Sequence, residues 1–162
     1  SYSSAMDMLI DHKIINSIID FAKLGNPILG ICLGMQILSK YGVEGGHKDG
    51  LGLIDGNVQP LEKKDNLHMP HVGWNELNHQ KFHPILEGIK NNVDFYFVNG
   101  FHFVADNKEN IISTTEYGQT FTSIISKDNV VGVQFHPEKS QINGLKMIDN
   151  FCLWDGKCLK EG

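Results

Sequence analysis

A cysteine set between two glycines, in Gly30-Ile31-Cys32-Leu33-Gly34, is the densest chemical signal in the chain. Ile28-Leu29-Gly30-Ile31 is a short, wholly apolar run, the pattern of a buried parallel strand. From Leu33 to about Lys40 the spacing predicts a helix. A nucleophile between such a strand and helix stands on a sharp turn that lifts its side chain above the sheet. The small neighbours permit the strained backbone and a close helix–strand approach. The helix N-terminus is expected to favour thiolate over thiol. The Leu33 N–H is placed to donate to an oxyanion formed by attack from Cys32. The competing reading is a buried structural cysteine.

A thiol nucleophile needs a base, and the base needs an orienting partner. His136-Pro137-Glu138 follows the strand-like run Val130 to Phe135. In an extended chain His136 and Glu138 point to one face, so the carboxylate can hold the imidazole in one tautomer. Alone, His-x-Glu is an ordinary strand end. With the cysteine turn in the same chain it predicts a Cys-His-Glu triad.

The other histidines offer a metal reading: His68 and His71 are three apart, His79 and His83 four apart. Both pairs lie in loop-like sequence beside Pro70 and Pro84, with no cysteine near, so they are expected to be exposed loop histidines. No metal and no cofactor is expected.

These residues must be positioned by the rest of the chain. The 162 residues fit one domain, 1–162, with a compact core. Fourteen Lys and Arg against 19 Asp and Glu give a formal charge of −5, which speaks against nucleic-acid and anionic-membrane binding. No apolar run approaches the ~18 residues of a membrane helix. The three cysteines, Cys32, Cys152 and Cys158, are too few for a disulfide framework, and a reducing cytoplasm is expected.

Helical spacing of Ile10, Ile14, Ile15, Ile18 and Phe21 runs from Ala5 to Leu24, and Gly25 closes it. Residues 45 to about 78 read as loop-rich. Strand-like runs follow at 93–98, 101–104, 111–115, 120–126 and 130–135, divided by Asn99-Gly100 and Asp128-Asn129, and an antiparallel meander is expected. A last helix is predicted from about Gln141 to Trp154. It carries Ile142, Leu145, Ile148, Phe151 and Cys152 on one face, with Cys152 as packing.

The chain resembles the class I (triad) glutamine amidotransferases, in particular the glutaminase subunits of imidazole glycerol phosphate synthase from histidine biosynthesis. The resemblance rests on PILGICLGMQ (27–36), EGGH (44–47), GLGLID (50–55), HVGWN (71–75), YFV (96–98), TTEYG (114–118) and GVQFHPEKS (132–140), in the family's order. It implies an α/β, flavodoxin-like three-layer sandwich with a central, mostly parallel sheet plus antiparallel strands. It also implies further strands and a Pro-Gly-x-Gly oxyanion loop ahead of Ser1, so the chain reads as N-terminally truncated.

By the same resemblance Cys32 attacks the side-chain amide of L-glutamine, His136 is the base and Glu138 orients it. Gln36 and Glu44 hold the substrate's amino-acid end, and Trp74, Tyr96 and Lys139 face an ammonia-accepting synthase subunit, a cyclase barrel. One departure stands out: the family follows Tyr-Phe-Val with His-Ser/Thr-Tyr, where this chain has Asn99-Gly100-Phe101. That leaves open a sugar amidotransferase as partner, forming acetamidino groups on surface-glycan sugars. A catalytically inert binding subunit and a cysteine protease are the readings from other classes.

Overall fold

The structure is a computed structural model and describes residues 1–158. The stretch expected as one amphipathic helix is two, α1 (Tyr2–Asp11) and α2 (Ile15–Lys23). The break falls at Lys13, whose backbone is left-handed at φ 56°. The flanking His12 and Ile14 N–H groups turn back to the Met8 and Leu9 carbonyls. The stop at Gly25 is in place, at φ 84°, with its N–H on the Ala22 carbonyl.

β1 (Ile28–Ile31) lies where its apolar run predicts. α3 (Leu33–Gln36) is only one turn long, not a helix to Lys40. The reason is in the hydrogen bonding: the carbonyls of Ile37, Leu38, Ser39 and Lys40 accept N–H groups from the loop Gly50 to Ile54 instead of from a continuing helix. The middle of the chain is more regular than it reads, with β2 (Tyr41–Gly42), β3 (Lys48–Asp49), β4 (Gly56–Pro60), β5 (His71–Glu76) and β6 (Asn78–His79). Then come β7 (Asp94–Asn99), β8 (Phe101–Ala105), β9 (Ile111–Glu116), β10 (Thr120–Lys127) and β11 (Val130–Val133), and α4 (Gln141–Leu153) ends the fold.

The central sheet runs β1-β11-β10-β9-β6, and only β1 and β11 are parallel. The expected mostly parallel sheet is therefore corrected to a mixed one. Tight turns link β9 to β10 and β10 to β11, and such short links can join only antiparallel neighbours. The meander is real for β9 to β11 but does not include the two strands before it. β7 pairs with β5 and β8 with β4, so Asn99-Gly100 is a corner between sheets, not a hairpin turn. The cause is burial: Phe95 and Phe97 of β7 enter one core, whereas Phe103 of β8 enters another.

The two cores lie on opposite faces of the central sheet. Leu29, Ile31, Val131, Val133 and Ile124 pack with Met147 of α4, while Ile28, Val130 and Ile125 pack with Met35 and Leu38 beside α1. α4 buries Gly144 and Met147, but Ile142 and Leu145 are exposed, as is Cys152, which is not a packing residue. The helix turns its glycine inward because a side chain at Gly144 would run into the Pro137 carbonyl. Among the described residues no helix is long and apolar enough to cross a membrane.

Candidate active site

β1 and β11 run side by side and end together, with Ile31 opposite Val133. Cys32 follows directly, and its N–H donates to the Val133 carbonyl at 2.8 Å. Its backbone, at φ 51° and ψ −107°, is the strained elbow the sequence predicts, a conformation costing ~1–3 kcal/mol. Of the two glycines only Gly30 is demanded by packing: a Cβ there would lie 2.5 Å from the Gly34 carbonyl oxygen. A Cβ on Gly34 would meet nothing within 4 Å.

Cys32 opens into a cleft of about 140 Å³ lined by Leu33, Gln36, Glu44, Val98 and Asn99 among others. Its thiol donates to the Val98 carbonyl at 3.7 Å, and Gln134 Nε2 donates to the sulfur at 3.8 Å. Burial pushes the Cys32 thiol up, and the carboxylates of Glu138 and Glu44 add to that, against the Leu33 N–H and the Gln134 amide. The expected preference for thiolate is thus corrected for the resting site, because a one-turn helix carries little dipole to offset the lost solvation.

His136 and Glu138 do meet, though not along a strand. β11 stops at Val133, His136 stays extended, and Pro137 opens a turn of 3-10 helix that brings Glu138 back. His136 Nδ1 donates to Glu138 Oε1 at 2.6 Å, which leaves Nε2 as the basic nitrogen. The His136 N–H donates to the Tyr96 carbonyl at 2.8 Å, and the Tyr96 N–H to Ser140 Oγ at 3.0 Å, so β7 braces the turn. Among the described residues no hydrogen bond joins Cys32 to His136; the thiol is turned to Val98.

Gln36 and Glu44 both line the cleft. Gln36 is buried, its Nε2 donating to the Phe101 carbonyl at 3.1 Å and to Gln134 Oε1 at 3.2 Å. Glu44 Oε2 accepts the Tyr2 N–H at 2.8 Å. Tyr2 is itself wholly buried, its hydroxyl on Ser39 Oγ at 2.8 Å. Sequence reasoning missed both Tyr2 and Gln134. A buried tyrosine at a helix start carries no signal, and Gln134 was legible only as part of the block around His136.

Trp74 and Tyr96 are cross-strand partners on β5 and β7, edge to face with ring centroids 5.7 Å apart, and Trp74 is 47% exposed. Lys139 is exposed on the turn that carries Glu138. The expected exposed loop histidines divide. His68 is exposed, but His71 opens β5 and is buried against Tyr117 and Phe97. His83 is buried too, its Nδ1 accepting the Ile85 N–H and its Nε2 against Ser126 Oγ. His71 is packed among aromatic rings, and His83 is held by the Ile85 N–H and Ser126 Oγ. Among the described residues no cluster of three or more His, Cys, Asp or Glu side chains is placed to hold a metal ion.

An elbow cysteine and a His-Glu pair at the ends of adjacent parallel strands suit thiol-dependent acyl transfer. The sequence profile of the family "Glutamine amidotransferase class-I" matches residues 10–154. The chain belongs to that family. It is 39% identical over 155 residues to the imidazole glycerol phosphate synthase subunit HisH of Wolinella succinogenes, covering 94% of this chain and 76% of that one. It is 42% identical over 154 residues to the HisH subunit of Sulfurimonas denitrificans, covering 93% and 74%. To the subunit HisH 1 of Campylobacter jejuni it is 49% identical over 125 residues, covering 77% and 62%. A crystal structure of a glutamine amidotransferase from Thermotoga maritima shares the fold, with a TM-score of 0.64 and 16% identity, covering 94% of this chain and 58% of that one.

Proposed function

We propose that the chain is the glutaminase subunit of a two-part synthase. It hydrolyses L-glutamine to glutamate and ammonia, which a cyclase-barrel partner uses to form imidazole glycerol phosphate in histidine biosynthesis. The observation that carries this reading is the placement of Cys32 and the His136–Glu138 pair at the ends of paired strands β1 and β11. The likeness to imidazole glycerol phosphate synthase subunits HisH supports this choice of substrate and partner.

In this reading His136 Nε2 takes the thiol proton as the Cys32 sulfur attacks the glutamine carboxamide carbon. The oxygen becomes an oxyanion that receives the Leu33 N–H. Collapse breaks the C–N bond, and His136 returns its proton to the leaving ammonia, leaving a thioester on Cys32. Water, deprotonated by His136, then releases glutamate and restores the thiol. Glu138 keeps the imidazole in the required tautomer. Glu44 receives the substrate's ammonium group, Gln36 borders its amino-acid end, and Trp74, Tyr96 and Lys139 meet the synthase.

The test is glutamate release from glutamine by the full-length protein with its synthase partner. Cys32→Ala abolishes release; unchanged release would sink the reading. Failure of a glutamine-like alkylating agent to label Cys32 in the intact complex would instead favour an inert binding subunit. Asn99-Gly100-Phe101, which lines the cleft, leaves open one variant of the proposal, with an ATP-dependent sugar amidotransferase as ammonia acceptor. The partner that copurifies with the protein decides between them.

A further inference from the structure

Gln134 is fully buried two residues before the proposed base, and a buried primary amide is costly unless both its ends are satisfied. Its Oε1 lies 3.2 Å from Gln36 Nε2, and its Nε2 lies 3.8 Å from the Cys32 sulfur. The backbone decides which end faces which. The Phe101 carbonyl can only accept, so the Gln36 amide must turn its nitrogen that way, at 3.1 Å. The same nitrogen carries the second hydrogen toward Gln134, which must therefore present its oxygen. Its own N–H is left for the sulfur. Asn99 Nδ2 donates to the same Phe101 carbonyl at 3.1 Å, filling that acceptor's second position.

We propose that Gln134 is a thiol-positioning residue of the glutaminase reaction, its amide N–H holding the Cys32 sulfur in place, and that Gln36 and the Phe101 carbonyl fix its orientation. The inference rests on the reading of Cys32 as nucleophile. It also gives Gln36 a second role. With both amide hydrogens engaged, the atom Gln36 offers a ligand is its carbonyl oxygen.

The consequence is electrostatic. The sulfur faces the carboxylates of Glu44 and Glu138, which oppose a thiolate, and the His136 imidazole is hydrogen-bonded to Glu138. Val98 offers only a carbonyl, which stabilises the thiol and not the anion. Of the two groups hydrogen-bonded to the sulfur, Gln134 is the one that donates and so the one that stays bonded to a thiolate.

The experiment measures the pH dependence of Cys32 alkylation by iodoacetamide in the full chain, with Cys152→Ser and Cys158→Ser removing the exposed thiols. Gln134→Met keeps the length without a donor and is expected to move the midpoint up by about one pH unit. The rate at fully alkaline pH should not fall, because a thiolate of higher pKa is the better nucleophile. Gln134→Glu, nearly isosteric and negative, is expected to move it further in the same direction. Gln36→Met leaves Gln134 present but unoriented and gives a smaller upward shift, which keeps the test open if the Gln134 variants do not fold. An unchanged midpoint in folded Gln134→Met or Gln36→Met protein overturns the proposal. Because alkylation needs no turnover, that outcome is distinct from failure of the glutaminase reading, which Cys32→Ala reports through glutamate release.

Discussion

His136 and Glu138 are held 2.6 Å apart by one turn of 3-10 helix that Pro137 begins, so the carboxylate is fixed to the imidazole by local backbone geometry. Replacing Glu138 by Gln keeps the shape but loses the anion that selects the tautomer. We expect Glu138→Gln to lower kcat for glutamine hydrolysis by about 10²–10⁴ with little change in KM. Steady-state glutamate release in the presence of the synthase partner checks this; an unchanged kcat refutes the role.

Gly30 and Gly34 flank Cys32 symmetrically in sequence but not in space. Gly30→Ala is expected to destabilise the protein by about 1–3 kcal/mol, because the new methyl group meets backbone atoms that cannot swing aside. Gly34→Ala, facing open space on a helical residue, is expected to be neutral or stabilising by up to ~1 kcal/mol. Urea unfolding midpoints of the two variants distinguish them; equal effects contradict the packing described.

Burial lowers the His83 pKa to about 4, with the nearby Lys81 charge adding to the effect. The unfolded chain therefore binds a proton that the native state refuses between roughly pH 6.5 and pH 4. Stability is full above that window and falls as pH drops through it, by ~3 kcal/mol from this residue. His71, His79 and His102 are shifted the same way by burial. Urea midpoints across this range should slope upward with pH, and His83→Gln should flatten the slope.

Exposed Trp74 and half-buried Tyr96 form an aromatic pair on the two-stranded sheet that also braces the His136 turn. If the proposed reading holds, Trp74→Ala weakens binding to the synthase partner at least tenfold, since large aromatics dominate such contacts. Its urea midpoint should barely change, because nearly half of the side chain is in solvent. Titration calorimetry against the partner measures the first effect, and a loss of stability without a loss of affinity would contradict it.

Much of this was legible in the chain where pattern and burial coincide. Ile28–Ile31 and the β9–β11 meander are set by short apolar runs and the turns between them. The elbow and His136-Pro137-Glu138 are local motifs. What escaped depends on distant partners. Lys13 breaks a helix without any stop signal, and Asn99-Gly100 looks like a hairpin turn although its two strands belong to different sheets. The two-residue strands β2, β3 and β6 exist only because their neighbours pair with them. Gln134 reads as a polar residue at a strand end, and only the third dimension places Gln36 and Cys32 at its two ends.

The parallel pairing of β1 with β11 has a temporal meaning as well. Ile31 and Val133 are roughly a hundred residues apart in the chain, and contacts of that separation are slow to form. In the proposed reading, the nucleophile is synthesised long before its base, and the two meet only after the intervening strands have been made and folded. In that reading a nascent chain carries an unpartnered thiol until the segment through Glu138 has been made and folded onto β1.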